Sequence, residues 1–282
     1  EPMKSGFKWM RDVVPVVAAA AVVSACQTVN TTHTGAVGIE RRQMMMVSSG
    51  EMEKASSQSY HKILQQAAQK NALNRDKEQV ARVLGVANRL IPATGAFRPD
   101  APQWRWEVNV LTSNELNAWC MAGGKIAFYS GIIEKLDLSD DEIAAIMGHE
   151  IAHALREHAR ERASQAMVTN LGVTVLGAAL GVGQAGTDLI GSVAKVTFEL
   201  PNSREHEVEA DRIGVELAAR GGYDPRAAIT LWQKMAGANG GQPPQWLSTH
   251  PSNESRQKDL AQYAARVMPL YEQATQRAKP VK

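Results

Sequence analysis

Hydrophobic and polar positions divide the chain into stretches of different period. From about Ser48 to Leu90, apolar residues recur at helical spacing, which predicts two amphipathic helices broken near KNALNRD and stopped by Pro92. The stretches WRWEVNVLTS (104–113) and GKIAFYS (124–130) instead alternate and carry β-favouring residues, with Gly123-Gly124 as a turn. A small antiparallel sheet is expected there. Ser139 followed by Asp140, Asp141 and Glu142 forms a capping box, so a helix should start at Ser139 and run through Arg162. Further helices are predicted over 203–220, closed by Gly221-Gly222, over DPRAAITLWQKM, and after Pro251. The fold class is α+β and mostly helical.

Composition adds bounds. The 282 residues suffice for one sizeable core or two small ones, and one catalytic domain with a short appendage is the economical reading. A net charge of +2, from 31 basic and 29 acidic residues spread evenly, excludes an electrostatic nucleic-acid footprint. Lys4, Lys8 and Arg11 precede the apolar run VVPVVAAAAVVSA, which reads as a targeting segment too short to span a bilayer. Its end, VSAC, resembles the lipobox of bacterial lipoproteins. That resemblance implies removal of residues 1–25, acylation of Cys26 and membrane attachment through it. With Gln27 after the cysteine, it implies a bacterial outer-membrane lipoprotein facing the periplasm. An ordinary secretory signal is the alternative. Residues 26–47 are expected to be a flexible tether and 48–282 the folded domain. Cys120 is then the remaining thiol, so no intrachain disulfide is expected.

Candidate chemistry centres on GHEIAHALREHARER (148–162). Helical positions i and i+4 differ by roughly 40° around the axis, so His149 and His153 present both rings to one point. Two converging neutral imidazoles suit zinc. Glu150 falls about 100° aside, too far for a natural third ligand but well placed as general base to a metal-held water. H-E-x-x-H occurs by chance on the order of once in a hundred chains of this length. The surroundings, DEIAAIMGHEIAHAL, are apolar, and buried imidazoles need partners. His158 lies in the charged continuation and is expected to be solvated.

A third ligand is sought in SREHEVEADRIGVELAAR, where Glu205, Glu207 and Glu209 compete. Glu205, Glu209, Arg212, Glu216 and Arg220 form one charged stripe. Glu207 and Asp211 lie opposite, with Gly214 and Ala218. Two carboxylates on a small-residue face are explained by Glu207 as ligand and Asp211 as acceptor for the free N–H of a zinc histidine. The competing reading is a buried carboxylate paired with an arginine such as Arg204.

HEIAH followed by E-x-x-x-D within SREHEVEADRIG resembles the zinc endopeptidases that include the CAAX prenyl proteases and HtpX. NAWCMAGGKIAFYSGII (117–133), GYDPRAAITLWQKM (222–235) and LSTHPSNESR (247–256) agree in the same order. The resemblance covers about residues 60–265 and is nearest to the branch with the mitochondrial OMA-type protease and the bacterial LoiP and BepA proteases. One departure is Ala122, where that family usually has proline. The resemblance implies a gluzincin fold and one zinc per chain. It implies that strand 124–130, with Gly124, Lys125, Ile126, Ala127 and Phe128, is a sheet edge to which unfolded or misassembled protein substrates add, the alternative being an ordinary core strand. In some periplasmic relatives a histidine in the loop matching THPS occupies the open zinc position and holds the enzyme latent, and His250 is expected to do the same; the alternative is that Pro251 starts a helix and His250 only precedes it.

For the oxyanion the sequence offers Asn202, Arg204 and His206, with Arg204 preferred. Residues 163–187 carry no charge over 25 positions and are expected to form a lid or hairpin over the groove rather than a membrane span. Trp104, Trp106, Trp119, Trp232 and Trp246 read as packing. Two further classes compete with the peptidase. A zinc-containing assembly factor would hold outer-membrane proteins without cutting them and would have no use for Glu150. An integral membrane prenyl-type protease would need several spanning helices.

Overall fold

The computed structural model describes residues 27–180, 193, 195, 197–238, 244–251 and 253–277. The expected targeting segment and the acylation site Cys26 lie outside the described residues. So do residues 181–187 of the expected lid.

Two short strands, β1 (Gln27–Val29) and β2 (Gln43–Met45), pair antiparallel. Helices α1 (Ser49–Gln69) and α2 (Lys77–Ala93) follow, each started by a side-chain cap. Ser48 and Glu51 close a capping box on α1, and Asp76 accepts from two backbone N–H groups of α2. Pro92 sits inside the last turn of α2 rather than before its end. Strands β3 (Glu107–Leu111), β4 (Ala118–Met121) and β5 (Lys125–Tyr129) form the main sheet, followed by the short helix α3 (Ser130–Lys135).

The sheet is mixed, in the order β3-β5-β4: β5 runs parallel to β3 and antiparallel to β4. This corrects the expected antiparallel sheet and the expected edge. Residues 125–129 form the central strand, with Lys125, Ile126, Ala127 and Phe128 all buried. A strand covered on both sides loses the alternation expected of a half-buried one. Gly123 and Gly124 turn the chain between β4 and β5 with φ of 76° and 78°.

Helix α4 (Asp140–Leu155) is the centre of the molecule, and every residue from Glu142 to Leu155 is buried. Ser139 and Glu142 cap it as expected. It stops at Arg156 rather than continuing to Arg162, because Glu157 takes the left-handed conformation, φ 53°. That conformation costs a non-glycine residue about 1 kcal/mol. Arg98 and Arg160, both hydrogen-bonded to its carboxylate, hold it there. Helix α5 (His158–Leu180) departs on a new axis.

Helix α6 (Arg204–Arg220), capped by Ser203, makes the most extensive contact of any element with α4. Helices α7 (Ala227–Gly237), α8 (Gln245–Thr249) and α9 (Glu254–Arg277) complete the fold, with α9 lying along α6. One core joins these layers through Leu90, Phe128, Ile146, Ile151, Ile213 and Leu217. Each such side chain contributes roughly 1.5–3 kcal/mol on burial. Among the described residues no helix is long and apolar enough to cross a membrane.

The expected tether is instead packed structure. Val37, Ile39, Gln43, Met45 and Val47 are buried. Arg41 binds Glu161 with both terminal nitrogens at 2.7 and 2.8 Å and Glu209 through Nε at 2.8 Å. Gln43 donates to Glu161 and to the carbonyl of Arg156.

Candidate metal centre and substrate cleft

His149 and His153 project from α4, Glu207 from the first turn of α6, and His250 follows α8. All four are buried, and one ligand atom from each lies within 4.8 Å of every other. The His149 and His153 Nε2 atoms are 3.1 Å apart, and His250 Nδ1 is 3.2 Å from His149 Nε2 and 3.0 Å from Glu207 Oε1. Glu207 Oε1 stands 3.3 Å from His153 Nε2.

This donor set fits a divalent cation. Three imidazoles and a carboxylate crowd one buried point. Burial works against protonation of His149, yet its hydrogen bonds to the Asp211 and Glu207 carboxylates outweigh it and raise its pKa from 6.5 to about 9. His153 has less compensation, and burial pushes its pKa well below 6.5, leaving a neutral ring. Burial would raise the pKa of Glu207, but His250 and the hydrogen bonds from the histidines hold it well below 4.5. Arg256 Nη1 lies 2.8 Å from Glu207 Oε2 without hydrogen-bond geometry, so that buried oxygen lacks a hydrogen-bond partner. A cation answers each of these features, and two histidines with a glutamate are a zinc ligand set.

Around the centre, His149 Nδ1 is 3.1 Å from Asp211 Oδ1, so Asp211 stands where it can fix that ring's tautomer. Arg256, fully buried, clamps Asp211 with Nε at 2.8 Å and Nη2 at 2.9 Å. Arg256 ends the matched stretch LSTHPSNESR, but the sequence assigns it no role. His158 is also fully buried, in contrast to the solvated position expected for it. Its Nδ1 is 2.8 Å from His153 Nδ1 and its Nε2 is 2.9 Å from Glu209. Burial and the positive charge of Arg156 hold His158 neutral, with a pKa well below 6.5, aided by its neighbour His206. The charged stripe of α6 is likewise covered, with Glu209 and Glu216 buried.

Glu150 lies beside the donor set, buried. Its Oε1 accepts a 2.7 Å hydrogen bond from Trp246 Nε1 and stands 3.3 Å from His250 Nε2. Trp246 therefore does more than pack: it fixes the carboxylate and stacks on the His250 ring at 4.7 Å.

Glu150, His153 and His250 open onto a cleft of about 250 Å³. Its other wall includes Ala118, Trp119 and Cys120 of β4, so the sheet edge at the cleft is β4. Among the described residues β4 has no backbone partner on its outer side. Arg204 does not reach the cleft: it is exposed at the start of α6. Asn202, with Nδ2 3.5 Å from His250 Nδ1, and Arg162 do line it. Residues 163–180 continue α5.

Comparison with known proteins agrees with this geometry. The chain is 38% identical over 157 residues to the mitochondrial metalloendopeptidase OMA1 of Arabidopsis thaliana, covering 56% of this chain and 31% of that protein. It is 28% identical over 240 residues to the mitochondrial metalloendopeptidase OMA1 of Bos taurus, covering 81% and 46%. It is 29% identical over 177 residues to the beta-barrel assembly-enhancing protease of Escherichia coli K12, covering 59% and 36%. The chain thus spans a third to a half of the length of these relatives. The bacterial outer-membrane address expected from residues 1–26 does not stand, since the plant, animal and yeast relatives are named mitochondrial. The model of peptidase family M48 matches residues 74–264, which include every member of the donor set, and the chain belongs to that family.

Proposed function

We propose that the protein is a zinc-dependent endopeptidase that cuts extended segments of unfolded or misassembled proteins, and that it is latent while His250 remains in the donor set. The observation that carries this reading is Glu150 held by Trp246 directly beside four converging ligand atoms. His149, His153 and Glu207 would hold the zinc, which when bound would supply Lewis acidity toward water and a peptide carbonyl. Glu150 accepts the proton of the attacking water and returns it to the leaving amine. The Trp246 N–H keeps that carboxylate aimed at the centre. The outer side of β4 supports β-augmentation by an extended substrate, whose backbone would be held with little regard to sequence. His250 has to swing away from Glu207 before substrate enters, and its place after the five-residue helix α8 suits such a movement.

The four-ligand arrangement also favours a second reading, a closed zinc site in a factor that holds clients without cutting them. Cleavage of an unfolded model protein by the zinc-loaded chain, its His250→Ala variant and the double variant His250→Ala/Glu150→Gln separates the two. Cutting by the first variant that disappears with Glu150 supports the peptidase. One tightly bound zinc with no cutting by any of the three leaves the holding factor.

A further inference from the structure

Both HExxH histidines turn Nε2 toward the centre, so each has Nδ1 left to place. For His149 that atom meets a carboxylate, Asp211. For His153 it meets another imidazole: His158 Nδ1 at 2.8 Å. With one proton on each ring, only one arrangement satisfies every atom. His153 donates Nδ1–H to His158 Nδ1, and His158 donates Nε2–H to Glu209 Oε2 at 2.9 Å. Glu209 is gripped from its other sides by Arg156 Nε at 3.0 Å and Arg41 Nε at 2.8 Å. His206 stacks on His158 at 4.2 Å and keeps its ring in plane.

We infer that His158 is a positioning residue for the metal ligand His153, the middle link of a chain of hydrogen bonds from the metal centre to Glu209 that Arg41 of the N-terminal segment locks in place. The inference rests on the metal-centre reading above. A ligand imidazole whose outer nitrogen is held binds in one tautomer and one orientation, and loss of such an outer partner typically costs about 10–100-fold in metal affinity. The left-handed turn at Glu157 is what makes the link possible. In a continuous helix, His158 would point half a turn away from His149. The zinc affinity of His153 thereby depends on a segment far from it in sequence, through Arg41.

The test is zinc affinity by chelator competition on the full chain, with the visible spectrum of the cobalt-loaded protein and the melting temperature of the metal-free protein. His158→Phe keeps the ring volume and removes both nitrogens, and it should weaken zinc binding about 10–100-fold and shift the cobalt bands. His158→Asn places an amide oxygen where Nδ1 stands and should recover most of the affinity and the original bands. Glu209→Gln, which removes the charge at the far end, should weaken binding by a smaller factor. A purely structural role would lower the metal-free melting temperature of all three and leave affinity and bands unchanged. That result overturns the inference, and if His158→Phe fails to fold, unchanged zinc affinity in Glu209→Gln does so alone. A wild-type chain that takes up neither zinc nor cobalt would instead remove the metal centre itself, and the inference with it.

Discussion

Gly148 and Gly214 meet backbone to backbone where α4 crosses α6: a Cβ on Gly148 would sit 2.7 Å from the carbonyl oxygen of Gly214. This contact brings Glu207, on one helix, within reach of His149 and His153 on the other. The obstacle to a side chain here is main chain, which has no rotamer to yield. Gly148→Ala should therefore push the helices apart, costing about 1–3 kcal/mol of stability and loosening the ligand set. Thermal unfolding of the metal-free protein, with zinc content after dialysis, checks both effects; an unchanged melting temperature would show that the crossing can relax.

Glu150→Gln preserves the shape of the side chain and removes the base. Peptide hydrolysis by an activated form should fall by about 10²–10⁴-fold while zinc stoichiometry stays at that of the parent. Loss of zinc along with activity would instead make Glu150 a metal ligand.

His250→Ala removes one of four ligand atoms and the group 3.3 Å from Glu150. Turnover of an unfolded substrate should rise, and zinc should be retained by His149, His153 and Glu207. A drop in turnover with unchanged zinc content would mean that His250 serves the reaction rather than restraining it.

Burial would raise the pKa of Glu161, but hydrogen bonds from Arg41, His206 and Gln43 outweigh it and hold the folded value far below the ordinary 4.5. The depressed value means that this carboxylate contributes stability fully above about pH 5, and that the contribution fades as pH falls through the range below its unfolded pKa. The stability advantage of the parent over Glu161→Gln should be greatest near neutrality and shrink toward pH 3. Hydrogen exchange of residues 27–47 should quicken in the variant at pH 7, since Arg41 and Gln43 lose their shared partner.

The helical period made His149, His153, Glu207 and Asp211 legible as one face-to-face set, and the capping box at Ser139 marked where their helix begins. His158 was misread because nothing in its neighbourhood announces a break. Glycine or asparagine usually takes the left-handed position after a helix, and here glutamate does. The packed N-terminal segment did leave a signal, since Val37, Ile39, Gln43, Met45 and Val47 fall on alternate positions broken only at Arg41, but the threonines and glycines around them masked it. Strand order left none. Ala118–Met121 and Lys125–Tyr129 are both short apolar runs, and only the parallel pairing of β5 with β3 decides which of them is outermost. The role of Arg256 became legible only once α9 brought it under Asp211.

The outermost strand, Ala118–Met121, is four residues long. A polypeptide lying along it must be stretched over about 13 Å, at roughly 3.3 Å per residue, before it has filled the available hydrogen bonds. Tight turns and helices of an intact neighbour cannot supply such a length without first coming apart. On the proposed reading, in which an extended substrate pairs with this strand, the rim of the sheet would gauge how far that substrate has already unravelled, a measure set by backbone geometry alone.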